Sequence, residues 1–367
     1  MVPLRLLITA DPELPVPPTH YGGIERIIAL LVDGLVERGH AVRLIAHQDS
    51  RTRGTLVPYR GLDSGSPADT AANAALIARE TARMRPHVVQ SFGRLAYLAP
   101  ILPLSVPKVM SYQRQITPRS VSWARLLAGS SIHFTGCSLR LIDEVQTLGS
   151  WRVIYNAVPV DRFRYAPRVS PDAPLVFLGR LEHIKGVHLA IDVAHRTGRR
   201  LVIAGNIPDE HKDYFKYQVL PHVDEHHIRY VGPVDDRQKS DLLAGAAALL
   251  MPVLWDEPFG IVMAEALACG TPVIGLRRGS VPEVVDDGVT GFVCDDEDQM
   301  ALAVNHVDRL SRDACRYAAE ARFSERALVD AYESFYLALA KCPSAVHVGR
   351  MPVRSTAGSP IDRGRLR

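Results

Sequence analysis

Short apolar runs alternate with longer amphipathic stretches along most of the chain. Residues 4–10 (LRLLITA) and 41–47 (AVRLIAH) are mostly apolar without strict alternation, which is typical of strands buried on both faces of a sheet. Between them, residues 24–38 place isoleucines and leucines at helical spacing, and Gly39 follows where a left-handed cap is expected. This alternation predicts a parallel sheet with helices on both faces.

The same scheme occurs twice, so we expect two doubly wound, Rossmann-like α/β domains. The predicted strands of the first half are 4–10, 41–47, 87–92, 106–112, 132–136 and 151–154, with helices at 24–38, 72–84 and 138–148. In the second half the predicted strands are 175–178, 201–204, 228–231, 247–251, 272–276 and 291–294, with helices at 186–197, about 209–219, 236–245, 260–269, 281–286 and 296–309.

Prolines within residues 157–172 disfavour a helix or a strand there and indicate a linker. We therefore place one domain at residues 1–160 and a second at residues 161–322. An amphipathic segment with a serine cap predicts a C-terminal helix at residues 323–342. The arginine-rich residues 343–367 are expected to form a disordered basic tail.

Composition narrows the class of protein. With 47% hydrophobic and 23% charged residues, the 367-residue chain is neither disordered nor collagen-like. A net charge of +3 does not call for a nucleic-acid partner, and five scattered cysteines fit reduced thiols better than a disulfide framework. No apolar run approaches the ~20 residues of a membrane-spanning helix. We expect a cytoplasmic protein, and a peripheral contact with the inner membrane face stays open.

Two charged motifs follow predicted strands in the second half, where open α/β sheets bind ligands. In EPFGIVMAE (257–265), the amides that open the helix favour an anion, and both glutamates can accept hydrogen bonds from sugar hydroxyls. In GRLEHIKG (179–186), Arg180 and Lys185 can embrace a diphosphate. The alternatives are a helix-dipole partner and a solvated helix residue for the glutamates, and a water-exposed basic loop for the cations.

A third motif, YGGIE (21–25), follows the first strand and opens the first helix. Paired glycines allow a loop to pass close to a phosphate or sugar, although a plain tight turn is the alternative. The motif is not GxGxxG, and the next strand does not end on an acidic residue. Both features disfavour a dinucleotide-dependent oxidoreductase.

Together these motifs make the sequence similar to the family-4 glycosyltransferases of the GT-B fold. The resemblance runs over about residues 4–340 and also rests on YVGP (230–233), GTPV (270–273), GSVPE (279–283) and GVTGF (288–292). It implies two Rossmann-like domains that face each other across a cleft, with the C-terminal helix crossing back to the first domain.

The resemblance further implies a hexosyltransferase that moves a sugar from a nucleotide-diphosphate donor to an acceptor hydroxyl with retention. Arg180 and Lys185 would hold the diphosphate and Glu257 the donor sugar; these are the candidate catalytic residues. The implied donor-binding residues are Gly22, Gly23, Gly205, Asn206, Gly232, Phe259, Gly260, Ile261 and Glu265, of which Glu265 would contact the ribose.

The acceptor side departs from the family pattern. Many members carry a histidine in the loop after the strand that corresponds to 106–112, whereas this loop reads SYQR (111–114). Gln113 is the nearest stand-in; it can bind a hydroxyl but cannot act as a base. Tyr21 is the other acceptor-side candidate. The acceptor itself, a carbohydrate, a lipid-linked glycan or a small molecule, is left open.

No Asp-x-Asp motif ends a predicted strand, and the acidic run 295–298 is interpreted as a helix cap. We therefore expect no metal and no cofactor beyond the sugar nucleotide as co-substrate. HVDEH (222–226) matches a zinc-protease pattern but is interpreted as a polar turn. The alternative functions are a sugar-nucleotide epimerase or hydrolase on the same fold, and a non-catalytic nucleotide-sugar binder.

Overall fold

Two parallel sheets, one in each half of the chain, form the framework of the protein. The computed structural model describes residues 2–18 and 22–341. The first sheet contains β1 (Arg5–Thr9), β2 (Ala41–Ala46), β3 (Thr55–Pro58), β4 (Val88–Ser91), β5 (Lys108–Tyr112), β6 (Ile132–Gly136) and β7 (Trp151–Val153). The second contains β8 (Leu175–Leu178), β9 (Leu201–Ala204), β10 (Ile228–Tyr230), β11 (Ala248–Met251), β12 (Val273–Leu276) and β13 (Gly291–Cys294).

The strand order identifies both sheets as doubly wound. The first runs β3-β2-β1-β4-β5-β6-β7 and the second β10-β9-β8-β11-β12-β13, with parallel pairing throughout. In each sheet the strand order reverses beside the first strand, and ligands of open α/β sheets bind at that switch point. The predicted fold class, two Rossmann-like domains, is confirmed.

Helices cover both faces of each sheet. Their bounds are α1 (Gly23–Glu37), α2 (Pro67–Met84), α3 (Pro118–Ala128), α4 (Leu139–Ile142), α5 (Val187–Thr197), α6 (Lys212–Tyr214), α7 (Asp236–Ala244), α8 (Ile261–Ala268), α9 (Val281–Val284), α10 (Glu297–Val304), α11 (Arg312–Arg322) and α12 (Glu325–Lys341). Within the described part of the chain, none of them is long and apolar enough to cross a membrane.

The C-terminal helix α12 returns to the first domain, as expected. It packs against α1 and buries Tyr332, Phe335 and Tyr336 in that domain's core. The Tyr336 hydroxyl donates to Gln90 Oε1 at 2.9 Å. At the outer edge of this contact, Glu333 Oε1 lies 2.8 Å from His40 Nε2. The two halves are thereby joined by a helix as well as by the linker.

Several local predictions were wrong. The helix expected at 138–148 is only Leu139–Ile142, because the chain then tightens into a 3₁₀ turn at Gln146–Leu148. The segment near 209–219 is a succession of short 3₁₀, α and π turns rather than one helix. The sequence interpretation missed β3, α3 and α11 altogether.

Other predictions were confirmed. Asp296 caps α10 by accepting a hydrogen bond from the Gln299 amide, so the acidic run is a helix cap. The zinc-protease-like segment is a turn outside any long helix. Four cysteines are buried free thiols, whereas Cys342 and the tail 343–367 lie outside the described residues.

Candidate functional site

Three loops at the carboxyl ends of β8, β9 and β10 touch through their backbones. The Gly205 amide donates to the Gly232 carbonyl at 2.9 Å, and the Leu181 amide donates to the Asn206 carbonyl at 3.0 Å. A Cβ on Gly205, whose φ is +148°, would lie 1.7 Å from the Gly179 carbonyl oxygen. Only glycine permits this approach. Gly205, Asn206 and Gly232, which the resemblance implies as donor-binding residues, therefore form one surface.

Arg180 projects from the first of these loops. Its Nη2 lies 2.8 Å from Glu182 Oε1, and its side chain is about one-third exposed. Glu182 is buried and also lies 3.4 Å from His211 Nε2. The buried carboxylate holds a partly exposed guanidinium at the rim of the loop. The sequence identified Arg180 but not the residue that orients it.

Lys185 and Glu257 are 72 residues apart in sequence and in direct contact. Lys185 Nζ lies 2.5 Å from Glu257 Oε2, and both side chains are largely buried. The contact is fixed by the backbone: the Leu254 amide donates to the Ile184 carbonyl at 2.8 Å, and a Cβ on Gly186 would lie 1.9 Å from the Pro252 carbonyl oxygen. The alternative of a water-exposed basic loop is wrong for this lysine.

Trp255 completes this contact and was missed from the sequence. Its Nε1 donates to Glu257 Oε2 at 3.0 Å, and its ring lies 4.9 Å from Lys185 Nζ. The indole thus positions the carboxylate and stabilises the ammonium by a cation–π interaction. A lone tryptophan after a strand carries no spacing signal, so only the fold relates it to Lys185.

The loop before α8 ends in a backbone turn at the start of the helix. Gly260 has φ +67° and precedes Ile261, the first residue of the helix. Within residues 2–18 and 22–341, the amides of residues 259–261 donate to no protein acceptor. Phe259 is buried against Tyr155 and Phe323, which anchors the loop. Unpaired amides at a helix start attract an anion.

The first domain reaches this loop through Gly23. A Cβ on Gly23 would lie 3.0 Å from Ile261 Cδ1, so the start of α1 abuts the start of α8. Gly22, the residue before it, has φ +157° and leaves no room for a Cβ beside Pro18. Both predicted glycines therefore stand at the junction of the two domains. Tyr21 lies outside the described residues.

Glu265 is the next predicted residue, and the structure places it in a chain of charges. It is 8% exposed, and its Oε1 lies 2.5 Å from Lys239 Nζ. Lys239 also contacts Asp236 at 3.2 Å, and Asp236 pairs with Arg26 of the first domain at 2.7 Å. Burial opposes the charge on Lys239, but Glu265 and Asp236 outweigh it and raise the pKa of Lys239. The alternative of a solvated helix residue is wrong for Glu265.

The first domain carries acidic groups beside the predicted acceptor residue Gln113 that the sequence interpretation did not propose as site residues. Asp11 follows β1, and burial raises its pKa, although Arg114 at 3.9 Å opposes the shift. Burial also raises the pKa of Glu25 in α1, with Asp11 as a further cause. The predicted stand-in, Gln113, is already engaged, since its Oε1 accepts from Asn156 Nδ2 at 2.8 Å. An acid directly after the central strand is the signal that was overlooked.

Direct contacts join the two domains beside the site. Glu283 accepts hydrogen bonds from the amides of Leu139 and Arg140 at 2.6 and 2.7 Å. Arg140 Nη2 also donates to Asp256 Oδ2 at 2.8 Å, one residue before Glu257. The cleft that holds the candidate residues is therefore bordered by polar contacts between the domains.

Two further features of the described residues bear on ligands. Residues 2–18 and 22–341 contain no group of three or more His, Cys, Asp or Glu placed to hold a metal ion. A groove of about 820 Å³ lies in the first domain between α2 and the 3₁₀ segment Leu95–Ile101. It is lined mainly by alanines and contains none of the predicted donor-binding residues, so it is separate from the cleft.

Family models match nearly the whole chain in two parts. Residues 21–162 match the model described as Glycosyltransferase Family 4, and residues 164–328 match the model described as Glycosyl transferases group 1. The boundary between the two matches falls in the predicted linker.

Curated relatives match over part of their length. Glycogen synthase of Mycobacterium tuberculosis is 36% identical over 180 residues, which cover 46% of this chain and 42% of that protein. Phosphatidyl-myo-inositol mannosyltransferase of Mycobacterium leprae is 33% identical over 184 residues, which cover 47% of this chain and 48% of that protein. The chain thus spans about half the length of the curated relatives it matches.

Solved structures match over the whole fold. AviGT4, a glycosyltransferase involved in avilamycin A biosynthesis, is 26% identical with a TM-score of 0.68, covering 92% of this chain and 98% of that one. HepE of Anabaena, solved in complex with UDP and glucose, is 17% identical with a TM-score of 0.69. The match covers 92% of this chain and 100% of that one. The second likeness concerns the fold alone.

Proposed function

Because the chain belongs to the family-4 glycosyltransferases of the GT-B fold, we propose that it transfers a sugar from a nucleoside-diphosphate donor to an acceptor hydroxyl. The observation that carries the proposal is the contact of Lys185 with Glu257, at 2.5 Å, on the loop that leads to the unpaired amides of residues 259–261. A cation, a carboxylate and free backbone donors are what a sugar diphosphate requires together.

The negative charge that develops on the leaving phosphate explains why the cations and Glu257 have different roles. As the anomeric carbon–oxygen bond breaks, negative charge grows on the leaving phosphate oxygen. Lys185, Arg180 and the amides of 259–261 are preorganised donors for that charge, and such donors lower the barrier most in a water-poor cleft. When the diphosphate binds, the Lys185 ammonium shares its hydrogen bonds with phosphate oxygens. Glu257 is then available to accept hydrogen bonds from donor-sugar hydroxyls.

The nucleoside end of the donor is assigned to the other predicted residues. Gly205, Asn206 and Gly232 form a backbone surface for the base, and Glu265 accepts hydrogen bonds from the ribose diol through Oε2 while Oε1 stays with Lys239. Gly23 covers the diphosphate from the first domain. Protein cations supply the charge neutralisation here, so we propose a reaction that needs no metal ion. Retention is proposed from the resemblance of the motifs.

The acceptor enters from the first domain in this proposal. Asp11 is positioned to accept a hydrogen bond from the acceptor hydroxyl, and Gln113, oriented by Asn156, contacts a neighbouring hydroxyl. A carboxyl group with a raised pKa is a better proton acceptor than Gln113, which cannot take up a proton near neutrality. The acceptor class remains a carbohydrate, a lipid-linked glycan or a small molecule.

The test begins with a panel of nucleotide sugars in thermal-shift experiments, because a bound donor stabilises the folded state by mass action. Mass spectrometry then follows the identified donor with and without acceptors. Removing one positioned donor group costs ~2.7–4 kcal/mol, so Lys185→Ala should lower kcat by about 100- to 1,000-fold.

The matched control is Lys212→Ala, because Lys212 is an exposed lysine of the same domain and, among residues 2–18 and 22–341, its ion-pair partner is the exposed Asp209. Near-normal activity of Lys185→Ala on a confirmed donor would show that the phosphate assignment is wrong. Sugar released or epimerised without an acceptor would instead support the hydrolase or epimerase alternative.

A further inference from the structure

Helix α3 (Pro118–Ala128) is apolar on the face that points away from the protein. Val121 and Ala124 are buried against the first sheet. Trp123, Leu126 and Leu127 lie on the opposite side at i, i+3 and i+4 spacing, with exposed fractions of 53%, 74% and 52%. Large apolar side chains grouped on an exposed helix face are typical of an interaction surface.

The loop beside the C-terminal end of α3 extends the apolar face. Leu104 is 47% exposed, and its carbonyl accepts hydrogen bonds from Lys108 Nζ at 2.5 Å and Ser131 Oγ at 3.2 Å. Ser131 Oγ also donates to the carbonyl of Ala128, the last residue of the helix. Lys108 and Ser131 thus fix the backbone of a fourth residue with an exposed apolar side chain close to the end of α3. We call Leu104, Trp123, Leu126 and Leu127 the apolar face.

The helix that carries this face has charges of one sign, Arg119 and Arg125. Residues 81–142 contain seven arginines, one lysine and no aspartate or glutamate, although the chain as a whole has nearly equal numbers of acidic and basic residues. Arg119 lies one turn before Trp123 on the outward side of α3 and is exposed. Arg125 is also exposed and donates to the Leu148 carbonyl at 3.0 Å. The helix therefore presents arginines and no carboxylate beside its exposed apolar side chains, and this favours an anionic partner.

We propose that the apolar face docks onto the surface of an anionic lipid bilayer. Tryptophan and leucine enter the interfacial region of a bilayer, while arginines at the same level bind phosphate headgroups. The exposed face of a single helix is convex, and a bilayer surface can deform to contact it. The four apolar side chains provide hydrophobic contact, and the surrounding arginines provide charge complementarity and the preference for anionic lipids.

Docking in this orientation has a geometric consequence for the cleft. The loop from Gln113 to Thr117 connects the acceptor side directly to the start of α3. A bilayer in contact with α3 therefore lies next to the acceptor entrance. The membrane proposal stands on the surface alone and does not depend on sugar transfer, so a failed activity assay leaves it intact.

Sedimentation with vesicles tests the proposal. The full-length protein should bind phosphatidylglycerol–phosphatidylcholine vesicles and bind phosphatidylcholine vesicles much more weakly, and high salt should weaken the anionic binding. Each of Leu126→Ser and Leu127→Ser should lower the partition coefficient about tenfold. Arg119→Gln should lower it about fivefold on anionic vesicles only.

Matched controls come from the second domain. Leu302→Ser replaces a leucine of α10 that is 61% exposed, and Arg237→Gln replaces an exposed arginine of α7. Neither control should change vesicle binding. Since all five positions are on the surface, each variant should keep the thermal midpoint of the parent, which shows that it is folded.

Three results would overturn the proposal. The first is wild-type protein that binds anionic and neutral vesicles equally or not at all. The second is a Leu126→Ser variant that binds as Leu302→Ser does. The third is self-association that the leucine variants abolish while vesicle binding is unchanged, which would make the face an interface between copies of this chain. A blue shift of Trp123 emission on anionic vesicles, absent in Trp123→Phe, would support bilayer insertion.

Discussion

Gly205→Ala is the sharpest perturbation of the candidate donor site. The added Cβ would lie 1.7 Å from the Gly179 carbonyl oxygen, and a contact below 3.0 Å forces something to move. The obstacle is backbone, so the loop that carries Arg180 must shift by about 1.3 Å. A displacement of about 1 Å at a positioning group costs about 100-fold in rate. We therefore expect kcat/KM for the donor to fall by about two orders of magnitude.

The same change also affects stability. Gly205 has φ +148°, a backbone conformation that residues with a side chain rarely adopt. An alanine held in it would lower the free energy of unfolding by about 1–3 kcal/mol. Gly198→Ala is the control, because Gly198 has φ +63° and nothing within 4 Å of its added Cβ. It should lose about 1 kcal/mol of stability from the backbone conformation alone and keep its activity.

The measurements are steady-state kinetics on the identified donor and calorimetric unfolding of both variants. Circular dichroism at the assay temperature establishes whether Gly205→Ala is folded. A lower rate in a folded variant cannot then be attributed to unfolding. Full activity in a folded Gly205→Ala variant would refute the inference that close packing of these loops positions Arg180. An equal loss of activity in Gly198→Ala would show that the effect is not specific to the site.

Three further predictions follow from charge pairing. Lys239→Met leaves the buried Glu265 unpaired and should lower the free energy of unfolding by about 3 kcal/mol, as measured with urea. The double variant with Glu265→Gln should regain stability, and an unchanged stability of Lys239→Met would contradict the reasoning. Asp11→Asn should lower kcat at least tenfold while donor affinity by calorimetry stays unchanged; a parallel loss of donor affinity would place Asp11 elsewhere. Burial opposes ionisation of Glu333, but His40 and Arg38 lower its pKa. Its stabilisation is therefore complete above the ordinary pKa of 4.5 and lost as the pH falls through the lower folded value. Glu333→Gln should flatten that part of the thermal-midpoint profile, and an unchanged acid slope would show that this carboxyl group is not the cause.

The sequence alone determined the fold class and identified the loops that carry most of the candidate residues. Continuous apolar strands such as β1 and β11 can only be buried on both faces, and this requires helices on both sides of a parallel sheet. The loops after those strands must then meet at one edge of the sheet, so Arg180, Lys185 and Glu257 could be proposed together, with their roles taken from the resemblance to the family. Gly205 came from the same resemblance, and its φ of +148° is known only from the structure.

The tertiary structure decided what each of those groups contacts. Lys239 has no spacing signal, since its partner Glu265 lies on another helix. Glu182 and Trp255 lie in the same loops as Arg180 and Glu257, but their second partners, His211 and Lys185, come from separate loops that only the fold brings close. Local periodicity also failed for α3, because Trp123 and its neighbouring leucines lie opposite the buried positions and blur the pattern. The pattern of hydrophobic and polar positions shows which residues favour burial. Only the packed chain shows which of them find protein to cover them, and which acids and bases meet across the cleft.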